Sequence, residues 1–507
     1  MKLLKAFFVL LIFNLRVVLA YDEQTLLKLN EFIEEWDIKS AENFLPEIKD
    51  EKNALYLQAK LKFFSGEYTE ALALLEKAGV SHDDHFYELI KNTEERTRGF
   101  STYESEHFRI RYSPGKDEVL LPYLIDTLNK IRIFAGENLG FIPQEKVLIE
   151  IYPDLESFTS VTPLSKDAIA NTGTVAICQY NRILITSPRL YIQGYSWLDT
   201  ISHEYIHYVL TKLSGNSVPL WLQEGIAKYF ETGWRKKDGG GLTPWSKSLL
   251  RQAIISGDIV TFEEMGNSFA NLRSARRAAL AFAEVETMVE YIVKNYGMET
   301  LRKMIKEYKN SIDEGDVMAR ILNTTKDNFL SEWKKFAKSL VVDAPKSADV
   351  IYPQVKEFSE EKETADYVKN KDARDAMILA EIMQERGRLD AAIIEYKKAV
   401  KSSPDSPYVI NKLCSLLIKK NRITEARQLL ENVAELYPDY PQTFINLSKI
   451  YIATNDNAKL EDALLKANAI NPFDPYVHNE LYLLYKRTER DKEAGRESRI
   501  INILEGR

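Results

Sequence analysis

The chain has 507 residues, enough for two to four domains. Its 45% hydrophobic and 28% charged content is ordinary for a globular protein and excludes wholesale disorder. The formal charge is −7, and with no basic patch and no glycine-rich phosphate loop nucleic acid is not an expected partner.

Residues 1–20 carry Lys2 and Lys5, then an apolar run from Ala6 to Leu15 broken by Asn14, then Arg16 and V-V-L-A. A charged start, a short apolar core and small residues at Val18 and Ala20 describe a secretory signal peptide cleaved before Tyr21. The core is shorter than the roughly 20 residues that cross a bilayer, so cleavage is favoured over an uncleaved anchor and no membrane span is expected afterwards. The expected location is periplasmic or secreted. Removing three basic residues leaves 68 − 3 = 65 against 75 acidic ones, a mature charge near −10. Two cysteines, Cys178 and Cys414, make no disulfide framework.

From 21 to 98 apolar residues recur at spacings of three and four, the mark of amphipathic helices. Ala59, Gly66, Ala71, Leu75 and Ala78 fall where a tetratricopeptide (TPR) hairpin places small and apolar contacts, predicting a TPR-like helical domain. His82 and His85, in S-H-D-D-H, read as a solvated loop because nothing else converges on them. At Ser105 the texture changes. H-F-R-I-R-Y (107–112) alternates as a strand, 119–139 is an amphipathic helix, and V-L-I-E-I-Y (147–152) is a second strand. T-G-T-V-A-I-C (172–178) and R-I-L-I-T (182–186) form a hairpin across Gln179, Tyr180 and Asn181.

The stretch 198–232 contains His203, Glu204 and His207 in the pattern H-E-x-x-H. Residues four apart on a helix share a face, so the two imidazoles can converge on a metal ion. Glu204 sits about 100° round the helix, off that axis, and reads as a base rather than a ligand. Ser214-Gly215-Asn216 stops this helix, and Pro219 opens a second one running to about Thr232 before Gly233. That turn carries Glu224 back toward the histidines as a candidate third ligand, with Gly225 allowing the two backbones to approach closely. Asp199, one turn before His203, can accept from a histidine Nδ1–H or face solvent.

H-E-x-x-H followed by W-L-Q-E-G-I-A (221–227) resembles the gluzincin metallopeptidases of the thermolysin-like clan, and within it the bacterial peptidase-MA-like group. The resemblance implies a two-lobe zinc peptidase domain, one Zn²⁺ per chain held by His203, His207 and Glu224, and Glu204 as the catalytic base of peptide hydrolysis. It also implies that an edge strand pairs with the substrate backbone, and 172–177 is the expected strand. The glycines and charges of 234–245 suit a mobile rim to the cleft. The sequence departs from the family at Ala281-Phe282, where a tyrosine often stands; Tyr229, Tyr208 and Tyr291 are alternative donors to the oxyanion.

Residues 342–370 hold prolines and many charges and read as a linker. Beyond it Pro404, Pro438 and Pro472 recur at the TPR period of 34 residues, predicting an α-solenoid over 371–507. The expected fold is α+β, with domains at 21–98, 99–341 and 371–507. The expected function is zinc-dependent hydrolysis of a peptide or protein substrate, with the C-terminal repeats free to bind a protein partner. A catalytically weak or inactive peptidase-like scaffold, acting as a TPR binding or assembly factor, is the alternative.

Overall fold

The computed structural model describes residues 23–506 apart from 166–168, 170–172, 237–240, 267, 270–271, 312 and 345–367, so the expected signal peptide lies outside the described residues. The described residues are mostly helical, with one small mixed sheet. Among the described residues five α-helices come first: α1 (Glu23–Glu34), α2 (Ile38–Phe44), α3 (Glu51–Phe64), α4 (Tyr68–Lys77) and α5 (His85–Thr97). Gly66, at φ +80°, makes the turn between α3 and α4, where a side chain would also press on Leu148.

The sheet follows: β1 (Ser101–Glu104), β2 (Phe108–Tyr112), helix α6 (Leu121–Leu139), β3 (Val147–Tyr152), β4 (Ala176–Gln179) and β5 (Arg182–Thr186). Its order is β1-β2-β3-β5-β4, with β2, β3 and β5 parallel and both outer strands antiparallel to their neighbours. The β4–β5 hairpin turns through Tyr180 and Asn181, both at positive φ (55° and 59°), the backbone of a two-residue turn that matches strand twist. β1 is absent from the sequence expectation, since S-T-Y-E is short, polar and largely exposed.

Both sides of the sheet are covered, and the alternation of side chains decides which side meets which helices. Phe108, Ile110, Ile149, Ile151, Ile183 and Ile185 are buried on the face that receives α6 and α7 (Trp197–Ser214); Phe108 meets Tyr205 of α7 at 6.1 Å between rings. On the other face Glu150, fully buried, binds Tyr68 Oη at 2.6 Å, Tyr152 Oη at 2.9 Å and Arg182 Nη1 at 3.1 Å. Arg182 is also fully buried and donates to Tyr68, so the N-terminal helices are joined to the sheet by a buried charged network.

Past α7 come α8 (Leu220–Phe230), α9 (Pro244–Ser256), α10 (Ala275–Tyr296), α11 (Met298–Glu307) and α12 (Lys326–Leu340). Trp333 of α12 is fully buried and donates to Thr287 Oγ1 of α10 at 3.0 Å. The chain ends in four helix pairs: α13 (Lys371–Glu385) with α14 (Leu389–Ser402), α15 (Pro407–Lys419) with α16 (Ile423–Leu436), α17 (Pro441–Ala453) with α18 (Asn457–Asn468), and α19 (Pro475–Arg487) with α20 (Asp491–Glu505). The turn inside each pair passes through a left-handed residue, Gly387, Asn421, Asn455 and Glu489, at the same 34-residue interval as the prolines. Among the described residues no helix is long and apolar enough to cross a membrane.

Candidate metal centre

α7 ends where Gly215 and Asn216 take left-handed backbone (φ 61° and 57°), which reverses the chain; Pro219 sits in extended conformation as the residue that caps α8. Gly225 is not explained by the approach of α7 and α8, as its sequence position suggested. A Cβ there would lie 2.6 Å from the carbonyl oxygen of Val285, so the close approach is between α8 and α10. The neighbouring Glu224 is thereby held on the side of α8 that meets α7.

The three residues converge. His203 Nε2 is 3.1 Å from His207 Nε2 and 3.3 Å from Glu224 Oε2, and His207 Nε2 is 3.4 Å from the same oxygen. A tetrahedral ion with bonds of about 2.0–2.1 Å sets its donors about 3.3 Å apart, so the triangle fits such an ion, and two imidazoles with one carboxylate are a donor set that zinc takes. Among the described residues this is the one group of three or more His, Cys, Asp or Glu side chains close enough to share a metal. The side chains are mostly buried, with 13%, 12% and 18% of their surface exposed. Burial pushes the Glu224 carboxyl up, but the charge and hydrogen bonds of the two imidazoles override it and hold it well below the usual range. Burial pushes His203 down, but hydrogen bonds to Glu224 and Glu231 outweigh it and the group is pushed up to about 10. The pocket thus attracts positive charge.

Glu204 stands outside the triangle. It is 8% exposed, and the backbone N–H of Cys178 in β4 lies near enough to its carboxyl to favour the charged form. Burial raises its carboxyl above the ordinary value, against the pull of the two imidazoles.

The acceptor behind His203 is Glu231, not Asp199. Glu231 Oε2 is 3.4 Å from His203 Nδ1, and its other oxygen takes Lys228 Nζ at 2.6 Å. Asp199 instead accepts Arg235 Nε at 3.0 Å and Nη2 at 2.5 Å, and Trp234 Nε1 at 2.7 Å. Those bonds fasten Trp234 and Arg235, the start of the stretch that composition suggested as a mobile rim. Glu231 lies seven residues after Glu224, two turns on along one helix face, and that spacing was the available signal.

Phe282 of α10 faces the centre, its ring 6.3 Å from that of His203. Tyr208 is turned to the back of α7, donating to Asn181 Oδ1 at 3.0 Å and Glu145 Oε1 at 3.2 Å. Tyr291 packs among Tyr296, Phe329 and Phe336. Neither is brought to the metal site. His82 stacks on Tyr87 at 4.6 Å, and His85 opens α5 beside its capping Asp84.

A helix pair that closes two histidines and a glutamate into a triangle beside a sheet edge, followed by a helical repeat array, defines a metallopeptidase-like protein. Residues 133–339 match the Peptidase MA superfamily, and residues 383–441 and 417–481 match the tetratricopeptide repeat. The chain thus carries a region similar to the Peptidase MA superfamily, followed by tetratricopeptide repeats. No curated protein matches its sequence at a significant level. Among solved structures, leukotriene A4 hydrolase from Saccharomyces cerevisiae is 13% identical over 80% of this chain and 67% of its own, with a TM-score of 0.32. MamA is 19% identical over 27% of this chain and 74% of its own, with a TM-score of 0.25. PilF of Pseudomonas aeruginosa is 19% identical over 34% of this chain and 69% of its own, with a TM-score of 0.25. At these scores the likenesses bear on neither fold nor function.

Proposed function

We propose that the chain is an exported zinc peptidase, with a peptidase domain over about 99–341 between an N-terminal helical domain and a C-terminal repeat domain. The observation that carries this reading is the donor triangle, whose edges of 3.1, 3.3 and 3.4 Å suit a tetrahedral ion. His203, His207 and Glu224 would hold zinc, which when bound supplies Lewis acidity toward a water and a carbonyl oxygen. Glu204 is the base: it is buried beside the triangle and can take a proton from water and give it to the leaving amine. Glu231 orients His203 through Nδ1.

β4 supplies the docking edge. In an antiparallel ladder the N–H and C=O of one residue point to the same side. The Val175 carbonyl accepts from Thr186 N at 2.9 Å, so 175, 177 and 179 face β5, while Ala176 and Cys178 face outward. Cys178 N–H lies toward Glu204, and the Ala176 amide and carbonyl can pair with an extended peptide laid between β4 and the metal helix. On this reading the docking edge is the strand Ala176–Gln179, which overlaps only the end of the expected 172–177 segment, whose first residue lies outside the described set. The substrate class is therefore an extended peptide. Purified protein should carry about one zinc per chain and hydrolyse denatured casein, and His207→Ala should lose both. A folded wild type that takes up no added zinc would refute the reading.

A further inference from the structure

The repeat array does not hang from the peptidase region. It is seated on the first turn of α7, the helix that carries both histidines. Ser196 Oγ, at the residue before α7, donates to Asp439 Oδ1 at 2.5 Å. Trp197, 1% exposed, donates through Nε1 to the Asn468 carbonyl at 3.3 Å, and Tyr195 N donates to the Ile470 carbonyl at 3.1 Å. Gly194 lets this contact close, since a Cβ there would lie 2.2 Å from the Ile470 carbonyl oxygen. At a second point Tyr123 Oη, in α6, meets both oxygens of the fully buried Glu497, at 2.8 and 3.0 Å, and Glu497 in turn binds His478 Nδ1 at 2.8 Å.

Asp439 does more than touch Ser196. It lies within electrostatic reach of Asp199, Lys228 and Glu231, and its charge acts on Lys228 and Arg235. Lys228 holds Glu231, and Glu231 stands behind His203; Arg235 holds Asp199, one turn before His203 on α7. Both routes from the array end at one metal-ligand candidate.

We infer that Asp439 is a positioning residue of the metal centre, through which the repeat array fixes the first turn of α7 and the Lys228–Glu231 pair behind His203. The inference rests on the reading of the triangle as a metal site. An array acting only as a partner-binding adaptor would need none of these contacts.

Asp439→Lys reverses the charge at an exposed position, and Ser196→Asp sets a second carboxylate against Asp439. Asp is itself a favoured residue at a helix start, so harm from Ser196→Asp points to the lost contact and not to a weakened helix. Each single variant should release zinc to a chelator about ten-fold faster and lower kcat on short peptides, the worth of one charged hydrogen bond. The double variant, which rebuilds an attractive pair, should recover most of both. Asp405→Lys, the same position one repeat earlier, is the control for charge and should change neither. In protein stripped of metal, amide exchange over 198–202 should speed in the single variants and return in the double. If Asp439→Lys leaves exchange and zinc release at wild-type values, the inference is overturned. If the wild type binds no zinc, the metal-site reading fails by itself, and the exchange measurement still decides whether Asp439 positions α7.

Discussion

Glu204, buried, and Glu224, partly buried, stand at one centre, yet they are expected to fail differently when amidated. Glu204→Gln keeps the shape of a side chain that lies outside the donor triangle, so zinc should stay near wild-type occupancy while turnover falls by roughly 10²–10⁴ for loss of a general base. Glu224→Gln replaces an anionic donor by a neutral one, so zinc itself should weaken and added zinc should restore part of the activity. Equal zinc loss in both variants would show that the roles are misassigned. Glu231→Gln tests the acceptor behind His203, and should weaken zinc by about 10–100-fold with modest effect on kcat at saturating metal. The two histidines were legible in the sequence because spacing on one helix fixes which side chains share a face, and the same spacing set Glu204 off that face; Glu224, on the next helix, was legible only through the turn and the W-L-Q-E-G-I-A words. Asp199 was misread for a reason of the same kind: it does share that face, but Arg235 and Trp234 fold back and take it. No spacing within α7 reveals a partner arriving from beyond α8.

Helix α10 carries an acid the proposed chemistry does not use, and it gives the stability a pH dependence. Glu284 is fully buried; burial pushes its carboxyl up to about 8, opposed by the Val260 N–H, which reaches its two oxygens at 3.0 and 3.2 Å. Below about pH 4.5 folded and unfolded chains both hold this proton; between there and about 8 only the unfolded chain releases it, so stability falls as pH rises through that window. Glu284→Gln keeps an acceptor for Val260 and should flatten that part of the curve, measured as the denaturant midpoint from pH 5 to 8. A variant whose midpoint falls as steeply as the wild type's would rule the acid out. At β4 the prediction concerns one amide. Ala176→Pro removes an N–H that faces away from β5, so the hairpin and zinc should persist while kcat/KM on peptides drops about ten-fold, the worth of roughly one backbone hydrogen bond. Unchanged kcat/KM would remove β4 as the docking edge. The hairpin itself was readable, since two strand-like runs flank residues that tolerate positive φ. Gly225 was readable only as a close approach, because the identity of the approaching backbone belongs to α10, some 60 residues on.

At the scale of the molecule, periodicity divides the sequence into separate blocks, while the buried contacts cross those blocks. Leu29, Phe63 and Tyr68 from the N-terminal helices, the metal helix and Ile500 from α20 belong to one continuous buried cluster. A 34-residue repeat specifies how helices pair with their neighbours in sequence; it is silent about which outer face is apolar enough to rest on another block. The N-terminal junction is the sharper test. Tyr68 is 4% exposed; its hydroxyl donates to Glu150 and accepts from Arg182, two fully buried side chains in the middle of the sheet. Removing residues 23–98 would strip that partner and open the charged face of β3 and β5 to water, while α7 would lose the bond from Lys212 Nζ to the Trp36 carbonyl at 2.6 Å. A chain beginning at residue 99 should therefore not retain a stable peptidase region, even though the composition changes sharply there. Tyr68→Phe, in the full chain, isolates the network: it leaves the ring and removes one hydroxyl, and should lower stability by about 1–3 kcal/mol, the cost of a buried polar group left without its partner. Denaturation followed by tryptophan fluorescence would read both changes. A chain starting at residue 99 that unfolds cooperatively at the wild-type midpoint would show that the N-terminal helices are an attachment, and that the buried charges of the sheet are satisfied without them.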